Sequence, residues 1–141
     1  MTLVSIIIPT YNYATFLREA IDSALKQSTG DVAVEIIVVD DGSTDEKPEI
    51  LKSYEGDIQS VRTSNKGVIH ARNTGLKLIK GEFWCSLDAD NLLAPSYVRE
   101  MVQALQGRPE MSFAYCDRLM FSETEERQAE GVDFELDAFR V

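Results

Sequence analysis

Several residue types and patterns are scarce in this chain, and each scarcity narrows what the protein can be. Its two cysteines, Cys85 and Cys116, lack the spacing of a metal site, so we expect both to be reduced core residues. The only histidine, His70, has no cysteine near it, which predicts a surface or packing role. No apolar run is long enough to cross a membrane, and the amino terminus lacks the basic and apolar segments of a secretion signal. We therefore expect a cytoplasmic protein, either free or peripheral to the inner face of a membrane.

Basic residues are also scarce relative to acidic ones. The 14 lysines and arginines stand against 24 aspartates and glutamates, which gives a formal net charge of −10 at pH 7. This balance argues against nonspecific binding to nucleic acid. Acidic residues are frequent in residues 123–141, which we interpret as an acidic tail of undefined structure. A hydrophobic content of 44% suffices for one core, so residues 1–141 are predicted to form a single domain.

Apolar strands alternate with amphipathic helices along the chain. β-branched and apolar runs predict strands at Val4–Pro9, Val34–Val39, Ile58–Thr63, Phe83–Leu87 and Ser112–Phe121, with Trp84 in the core. Apolar residues at helical spacing predict helices that include Leu17–Leu25, Ile50–Tyr54, Val68–Ile79 and Val98–Leu105. This alternation is typical of an α/β domain with a mostly parallel sheet and helices on both faces.

Polar clusters follow three of these strands. They are Thr10–Asn12, Asp40–Ser43 and Asp88–Asn91. Ligands of open parallel sheets bind outside the carboxyl ends of the strands. We therefore expect the three clusters to converge on one crevice.

Asp88 and Asp90 are the most informative pair among these polar residues. On an extended chain, residues two apart point to the same side, so both carboxylates would face the crevice while Ala89 turns away. Their repulsion would be relieved by a hard divalent cation such as Mg²⁺ or Mn²⁺, which keeps positions open for phosphate oxygens. The alternative is that the two carboxylates end a strand and cap the next helix.

Four segments together resemble the successive signatures of glycosyltransferase family 2. They are Pro9–Asn12, Val39–Asp45, Asn65–Gly75 and Leu87–Asp90, and the resemblance extends over Thr2–Phe121. It implies the GT-A fold, which is a Rossmann-like α/β fold, and a nucleotide-diphosphate sugar as the donor. It also implies Mn²⁺ or Mg²⁺ as the cofactor, and transfer with inversion at the anomeric carbon of the sugar.

The resemblance assigns the base of the nucleotide to the first two signatures. Tyr11 is expected to pack near the base, in a pocket that Pro9 and Thr10 shape. Asp41 is similar to the carboxylate that accepts a hydrogen bond from the base, for which a uracil N–H is a natural donor. A UDP-linked sugar is therefore the expected donor. Asp40 is expected to orient the turn.

The third and fourth signatures are expected to contact the nucleotide, its diphosphate and the metal. Lys66 and Gly67 are expected near the nucleotide, where a cation would balance diphosphate charge. Arg72 either contacts the donor or pairs with an acidic residue at a strand end. Asp90 resembles the direct metal ligand, and Asp88 resembles the carboxylate that reaches the ribose hydroxyls, the metal or both.

Two parts of the family pattern are not matched. Asn91 stands where relatives often carry another acid, so the preferred metal stays open. The general base of an inverting transferase lies in a downstream segment of this family, and we expect it beyond Val141. The acceptor, whether a glycan, a lipid-linked molecule or another compound, is not defined. We therefore expect these residues to bind the donor without efficient transfer.

Three other functional classes share parts of this pattern. A nucleotide-sugar binding module without turnover would have the same donor motifs and lack only the base. A sugar-1-phosphate nucleotidyltransferase would need a glycine-rich, arginine-containing loop after the first strand, and Pro9–Asn12 is not such a loop. A dinucleotide oxidoreductase would need Gly-x-Gly-x-x-Gly after a strand, and no predicted strand is followed by it.

Overall fold

The computed structural model describes residues 1–45, 47–121 and 126–128. The strands are β1 (Thr2–Thr10), β2 (Val32–Asp40), β3 (Gln59–Arg62), β4 (Phe83–Ser86), β5 (Leu119–Phe121) and β6 (Glu126–Gln128). The helices are α1 (Ala14–Leu25), α2 (Lys47–Lys52), α3 (Val68–Leu76) and α4 (Tyr97–Gln106). None of the helices in the described residues is long and apolar enough to span a membrane. Internal contacts divide the chain into two compact units, Met1–Gln103 and Ala104–Val141.

The first unit contains one sheet with the strand order β3, β2, β1, β4, and every neighbouring pair is parallel. β1 and β2 pair along their whole length, from Thr2 opposite Val32 to Thr10 opposite Asp40. Parallel strands need a connection that returns to the other end of the sheet, and α1, α2 and α3 lie in the three connections. The predicted α/β fold with a mostly parallel sheet is confirmed.

One face of the sheet forms the larger part of the core. Ile6 and Ile8 of β1 lie in one cluster with Leu17 and Ile21 of α1 and with Val98 of α4. These five side chains are at most 1% exposed. Burying an aliphatic side chain of this size contributes about 1.5 to 3 kcal/mol, so the β-branched run of β1 is a principal source of stability.

The other face is covered by α3. Ile7, Ile37 and Val39 of the sheet cluster there with Ala71 of the helix. α3 can approach β1 closely because Gly75 has no side chain. A Cβ atom added at Gly75 would lie 2.5 Å from Cγ2 of Ile7.

The observed elements differ from the predicted ones at α3. This helix ends at Leu76, although its apolar spacing predicted a continuation to Ile79. Leu78 and Ile79 still pack against the core beneath α3. Apolar spacing reports which residues are buried, and here the burial continues past the last helical residue.

The second unit contains an antiparallel pair of short strands. β5 pairs with β6, and Leu119 lies opposite Gln128. The strand predicted at Ser112–Phe121 is therefore confined to its last three residues. Of the predicted acidic tail, residues 126–128 are described, and the others lie outside the described residues.

Trp84 is not a core residue, because 50% of its surface is exposed. It lies on β4, which is an edge strand of the sheet. Trp84 is opposite Ser5 and is therefore on the same face as Ile7. α3 packs on this face against β1 and β2, which lie further from the edge. The prediction failed because burial on an edge strand depends on how far the covering helix extends.

The two cysteines differ from each other in exposure. Cys85 is half-buried and packs against the core, and burial raises the pKa of its thiol to about 11. Cys116 is exposed, so the prediction that both cysteines are core residues is wrong for Cys116. Both are thiols and neither forms a disulfide, as predicted.

Gly75→Ala should lower the free energy of unfolding by about 1 to 2 kcal/mol, because crowding against Ile7 outweighs the better helix propensity of alanine. Urea unfolding followed by circular dichroism measures the change. Gly30→Ala is the matched control, since a Cβ atom there meets no other atom within 4 Å. Unchanged or higher stability of Gly75→Ala would contradict the close contact between α3 and β1.

Candidate functional site

The carboxyl ends of the four parallel strands lie at one edge of the sheet. Hydrogen bonds between strands continue into the segments that follow them. The N–H of Asp41 donates to the carbonyl of Thr10 at 2.9 Å, and the N–H of Leu87 donates to the carbonyl of Ile7 at 2.9 Å. The polar residues after β1, β2 and β4 are thus anchored to the sheet itself.

Asp41 is only 3% exposed, and both of its carboxylate oxygens accept hydrogen bonds from the segment before α3. Oδ1 accepts from the Thr63 hydroxyl at 2.7 Å and from the Lys66 N–H at 2.9 Å, and Oδ2 accepts from the Gly67 N–H at 2.6 Å. Gly67 has a φ of +90°, which favours glycine. A buried carboxylate without such donors is strongly disfavoured, so Asp41 fixes residues 63–67 over the end of β2.

The same contacts set the charge of Asp41. Burial by itself would raise the pKa of this carboxyl group. Hydrogen bonds from Lys66, Thr63 and Gly67, together with the charge of His70, instead lower the pKa below its ordinary value of 3.8. Asp41 is therefore a carboxylate at neutral pH and acts only as a hydrogen-bond acceptor.

Asp40, the neighbour of Asp41, organises the turn after β2. Its Oδ1 accepts from the Ser43 N–H at 2.9 Å, and its Oδ2 lies 3.4 Å from Nη1 of Arg62. Nη2 of Arg62 donates to the carbonyl of Ser43 at 2.7 Å. These contacts agree with the turn-orienting role expected for Asp40.

The loop after β1 is joined to the loop after β2 by side chains of both. Asn12 has a φ of +54°, and its Oδ1 accepts from the Thr44 N–H at 2.9 Å while its own N–H donates to the Ser43 hydroxyl at 3.0 Å. Asp45 accepts from the N–H of Ala14, the first residue of α1, at 3.0 Å. A carboxylate from a different loop thus caps this helix.

A cavity of about 450 Å³ opens at this edge of the sheet. Its wall is formed by Pro9, Thr10, Tyr11, Tyr13, Asp41, Asn65, Gly67, Val68, Ala71, Arg72, Asp88, Ala89 and Asp90. Sites for small molecules usually measure about 300 to 1,000 Å³, so the volume is sufficient for a ligand.

The structure brings every predicted site residue except Lys66 to this wall. Lys66 turns its backbone N–H towards Asp41, and its side chain is exposed outside the wall. The wall residues that the sequence analysis did not assign to the site are Tyr13, Asn65, Val68, Ala71 and Ala89. Helical spacing could have identified Val68 and Ala71, which share a face of α3 with Arg72.

Asp88 and Asp90 enter the cavity from a turn and not from an extended strand. β4 ends at Ser86, and the N–H of Asn91 donates to the carbonyl of Asp88 at 2.9 Å. The same-side geometry expected for an extended chain therefore does not apply. Ala89, expected to turn away, is 5% exposed and lies in the cavity wall between the two carboxylates.

Arg72 of α3 pairs with Asp88 across this wall. Nη2 of Arg72 lies 2.5 Å from Oδ1 of Asp88, and Nε donates to the Ser86 hydroxyl at 3.2 Å. The side chains of Arg72 and Asp88 are 39% and 48% exposed, so solvent reaches the pair. Of the two roles expected for Arg72, pairing with an acid at a strand end is present, and the residue also borders the cavity.

The segment after the Asp88 turn is held by residues at the carboxyl end of α1. Gln27 is 1% exposed, and it donates to the carbonyl of Ala94 at 2.9 Å and accepts from the N–H of Val98 at 3.0 Å. The Ser23 hydroxyl accepts from the N–H of Leu93 at 3.1 Å. A buried amide with both ends satisfied fixes this segment, because breaking either bond leaves a buried polar group unpaired.

The donor set of the cavity fits a hard cation that is completed by other ligands. Asp88 and Asp90 offer carboxylate oxygens, and the described part of the chain contains no group of three or more histidine, cysteine or acidic side chains arranged for a metal. Mg²⁺ and Mn²⁺ often take one or two carboxylates and complete their shell with water and phosphate oxygens. A structural zinc site with four protein ligands does not fit.

A comparison with models of known protein families identifies the family of this chain. The sequence model described as Glycosyl transferase family 2 matches residues 5–134. The chain belongs to glycosyl transferase family 2. The resemblance carried by the four sequence segments is confirmed.

Curated relatives of this family 2 chain are also glycosyltransferases. An uncharacterised glycosyltransferase of Rickettsia typhi is 45% identical over 103 residues, which are 73% of this chain and 32% of the relative. The uncharacterised glycosyltransferase EpsJ of Bacillus subtilis is 36% identical over 104 residues, which are 72% of this chain and 30% of EpsJ. The chain thus spans about a third of the length of these relatives.

Solved structures of other proteins share the fold. The structure of S. aureus TarS 1–349 in complex with UDP-GlcNAc has a TM-score of 0.69 and 27% identity, over 77% of this chain and 32% of TarS. The mannosyltransferase PcManGT from Pyrobaculum calidifontis, solved with GDP-Man and Mn²⁺, has a TM-score of 0.65 and 31% identity, over 72% of this chain and 32% of PcManGT. These neighbours have the GT-A fold, which confirms the predicted fold.

Asp41→Asn should lower the free energy of unfolding by about 1 to 3 kcal/mol at pH 7, because a charged acceptor of hydrogen bonds is lost. The native pKa of Asp41 lies below its value in the unfolded chain, so the unfolded chain binds more protons between the two values. The stabilisation is complete well above pH 3.8 and is lost as the pH falls through the native pKa. Urea unfolding at pH 7 and near pH 3 measures this loss.

The advantage of the wild type over Asp41→Asn should therefore shrink at the lower pH. Asp57→Asn is the control, because Asp57 is exposed in a turn. An advantage of equal size at both pH values would contradict the charge-dependent network.

Proposed function

We propose that this chain binds a nucleotide-diphosphate sugar in the cavity at the carboxyl ends of the strands, as the donor site of an inverting glycosyltransferase. The observation that carries the proposal is the grouping of Asp41, Arg72, Asp88 and Asp90 around one cavity. They supply an acceptor for a base, a cation for phosphate and two carboxylates for a metal. Family membership supports the proposal, as do TarS with UDP-GlcNAc and PcManGT with GDP-Man and Mn²⁺.

The part of the cavity at Asp41 fits the nucleotide base. A carboxylate has about four lone-pair positions. Three hydrogen bonds from the protein reach Asp41, and only one of them goes to Oδ2. Oδ2 can therefore accept a ring N–H, while Tyr11, 41% exposed, offers an aromatic surface beside Pro9 and Thr10. We propose uracil as the base, and guanine is the competitor because it also carries a ring N–H.

The part of the cavity at Arg72 fits the diphosphate. Asp90 and Asp88 would hold Mn²⁺ or Mg²⁺, and the bound cation would neutralise charge on the departing nucleotide diphosphate. Arg72 adds a positive charge at the same wall. α3 begins at this wall after Gly67, so the dipole of its amino terminus also favours an anion.

Transfer needs further groups that activate the acceptor. In an inverting reaction, the acceptor hydroxyl attacks the anomeric carbon from the side opposite the leaving diphosphate, and a general base takes its proton. We assign no described residue to this role and no chemical class to the acceptor. Donor binding is the part of the function that the described residues explain.

UDP should bind at least about tenfold more tightly in Mn²⁺ or Mg²⁺ than in chelator, because the carboxylate of Asp90 and the net negative charge of the chain repel an uncompensated diphosphate. Asp90→Asn should remove most of this metal dependence. Asp31→Asn is the control, since Asp31 is exposed and is not part of the cavity wall. Isothermal titration calorimetry with UDP and with GDP measures the affinities.

Equal UDP affinity with and without metal in the unaltered chain would contradict the proposed donor site. If GDP bound more tightly than UDP, the proposed donor site would stand, and guanine would replace uracil as the proposed base.

A further inference from the structure

Asp88 has a counterion within the protein, and Asp90 has none among the ion pairs of the described residues. The guanidinium of Arg72 contacts Oδ1 of Asp88, and the Ser86 hydroxyl accepts from Nε of the same guanidinium. The two carboxylates, which belong to the same cavity wall, therefore differ in whether a positive charge of the protein pairs with them. One is neutralised by the protein, and the other is exposed to solvent.

The pair between Arg72 and Asp88 opposes the binding of a cation. A divalent metal takes carboxylate oxygens as ligands, and the guanidinium already occupies Oδ1 of Asp88. A metal between Asp88 and Asp90 would also be repelled by the positive charge of Arg72 at short range. Both effects lower the affinity of the free protein for the metal.

We propose that Arg72 is an exchangeable counterion, which neutralises Asp88 in the free protein and moves to the diphosphate when the metal and the nucleotide bind. This inference rests on the proposed donor function. A guanidinium forms planar, paired hydrogen bonds with carboxylates and with phosphates, so Arg72 can serve either partner. Its side chain is 39% exposed at the cavity wall, and the exchange therefore requires no rearrangement of the core.

The exchange makes the binding of metal and nucleotide cooperative. Without nucleotide, the cation displaces Arg72 from Asp88 and leaves the guanidinium without its partner. With a diphosphate present, the displaced guanidinium gains a new anionic partner. Each ligand then raises the affinity for the other by the same factor, because such coupling is reciprocal.

Arg72→Gln distinguishes this exchange from a simple phosphate contact, because the two ligands should respond in opposite directions. Mn²⁺ alone should bind about two- to fivefold more tightly, since an exposed ion pair no longer competes for Asp88. UDP at saturating Mn²⁺ should bind about tenfold or more weakly, since a charge-assisted hydrogen bond is lost. Electron paramagnetic resonance of free Mn²⁺ measures the first affinity, and calorimetry measures the second.

Three further variants assign the effect to this site. Ser86→Ala removes the hydroxyl that positions Arg72, so it should change both affinities in the same directions by smaller factors. Arg99→Gln removes an equal charge at an exposed position of α4 and should change neither affinity measurably. Arg72→Gln combined with Asp90→Asn should not tighten Mn²⁺ binding. Circular dichroism checks that each variant is folded. If Arg72→Gln does not fold, Ser86→Ala provides the test, because the affinities for Mn²⁺ and UDP should change in the same opposite directions.

Unchanged or weaker binding of Mn²⁺ by folded Arg72→Gln would overturn the exchange, and so would an unchanged affinity for UDP. The unaltered chain provides the separate test of the proposed function. If its binding of UDP does not depend on metal, the donor function fails and the exchange fails with it. If that dependence is present and only the opposite responses of Arg72→Gln are missing, the donor function stands and the exchange alone is wrong.

Discussion

The buried carboxylate of Asp41 is the interaction on which the site depends. It lies one residue beyond β2 and accepts hydrogen bonds from the Thr63 hydroxyl and from the N–H groups of Lys66 and Gly67. An unpaired charge at this buried position would be strongly unfavourable, so the segment that leads into α3 has little freedom to move away. Because α3 begins directly after this segment, Asp41 also determines where Arg72 stands. One carboxylate thereby connects the end of β2 to the part of the cavity wall that α3 provides.

Charge in the site is balanced by pairs within a strongly acidic chain. Arg62 balances the charge of Asp40 at the turn after β2, and Arg72 balances the charge of Asp88 at the cavity wall. The whole chain has a formal net charge of −10. An anionic ligand that enters this cavity meets Asp90 as well as the general negative field of the protein. The amino terminus of α3 favours such a ligand, and we propose that a divalent cation and the released guanidinium of Arg72 add positive charge. The proposed need for a metal therefore rests on charge as well as on the type of donor atoms.

The sequence predicted features that repeat along the chain, and it missed those that depend on partners distant in sequence. β-branched runs predicted β1 and β2, and the rule that ligands of parallel sheets bind at the carboxyl ends of the strands predicted that Thr10, Asp41 and Asp88 lie together. Trp84 was misplaced because its exposure depends on which strands α3 covers. The contacts of Gln27 had no signal in the sequence, because its partners Ala94, before α4, and Val98, in α4, lie 67 and 71 positions away. Local sequence patterns thus predicted the strands and their ends. The contacts that support the site could be identified only from the folded structure.

The most direct test of the account is a nitrogen-15 NMR titration of the chain with UDP in the presence of Mg²⁺, which avoids paramagnetic broadening. The donor is proposed to bind at the carboxyl ends of the strands. The amide signals of Gly67 and Ala89, in the cavity wall, should therefore shift with UDP concentration. The signals of Gly30 and Gly81, which precede β2 and β4 at the opposite edge, should stay in place. Shifts centred on Gly30 and Gly81, or no shifts at high UDP concentration, would contradict the account.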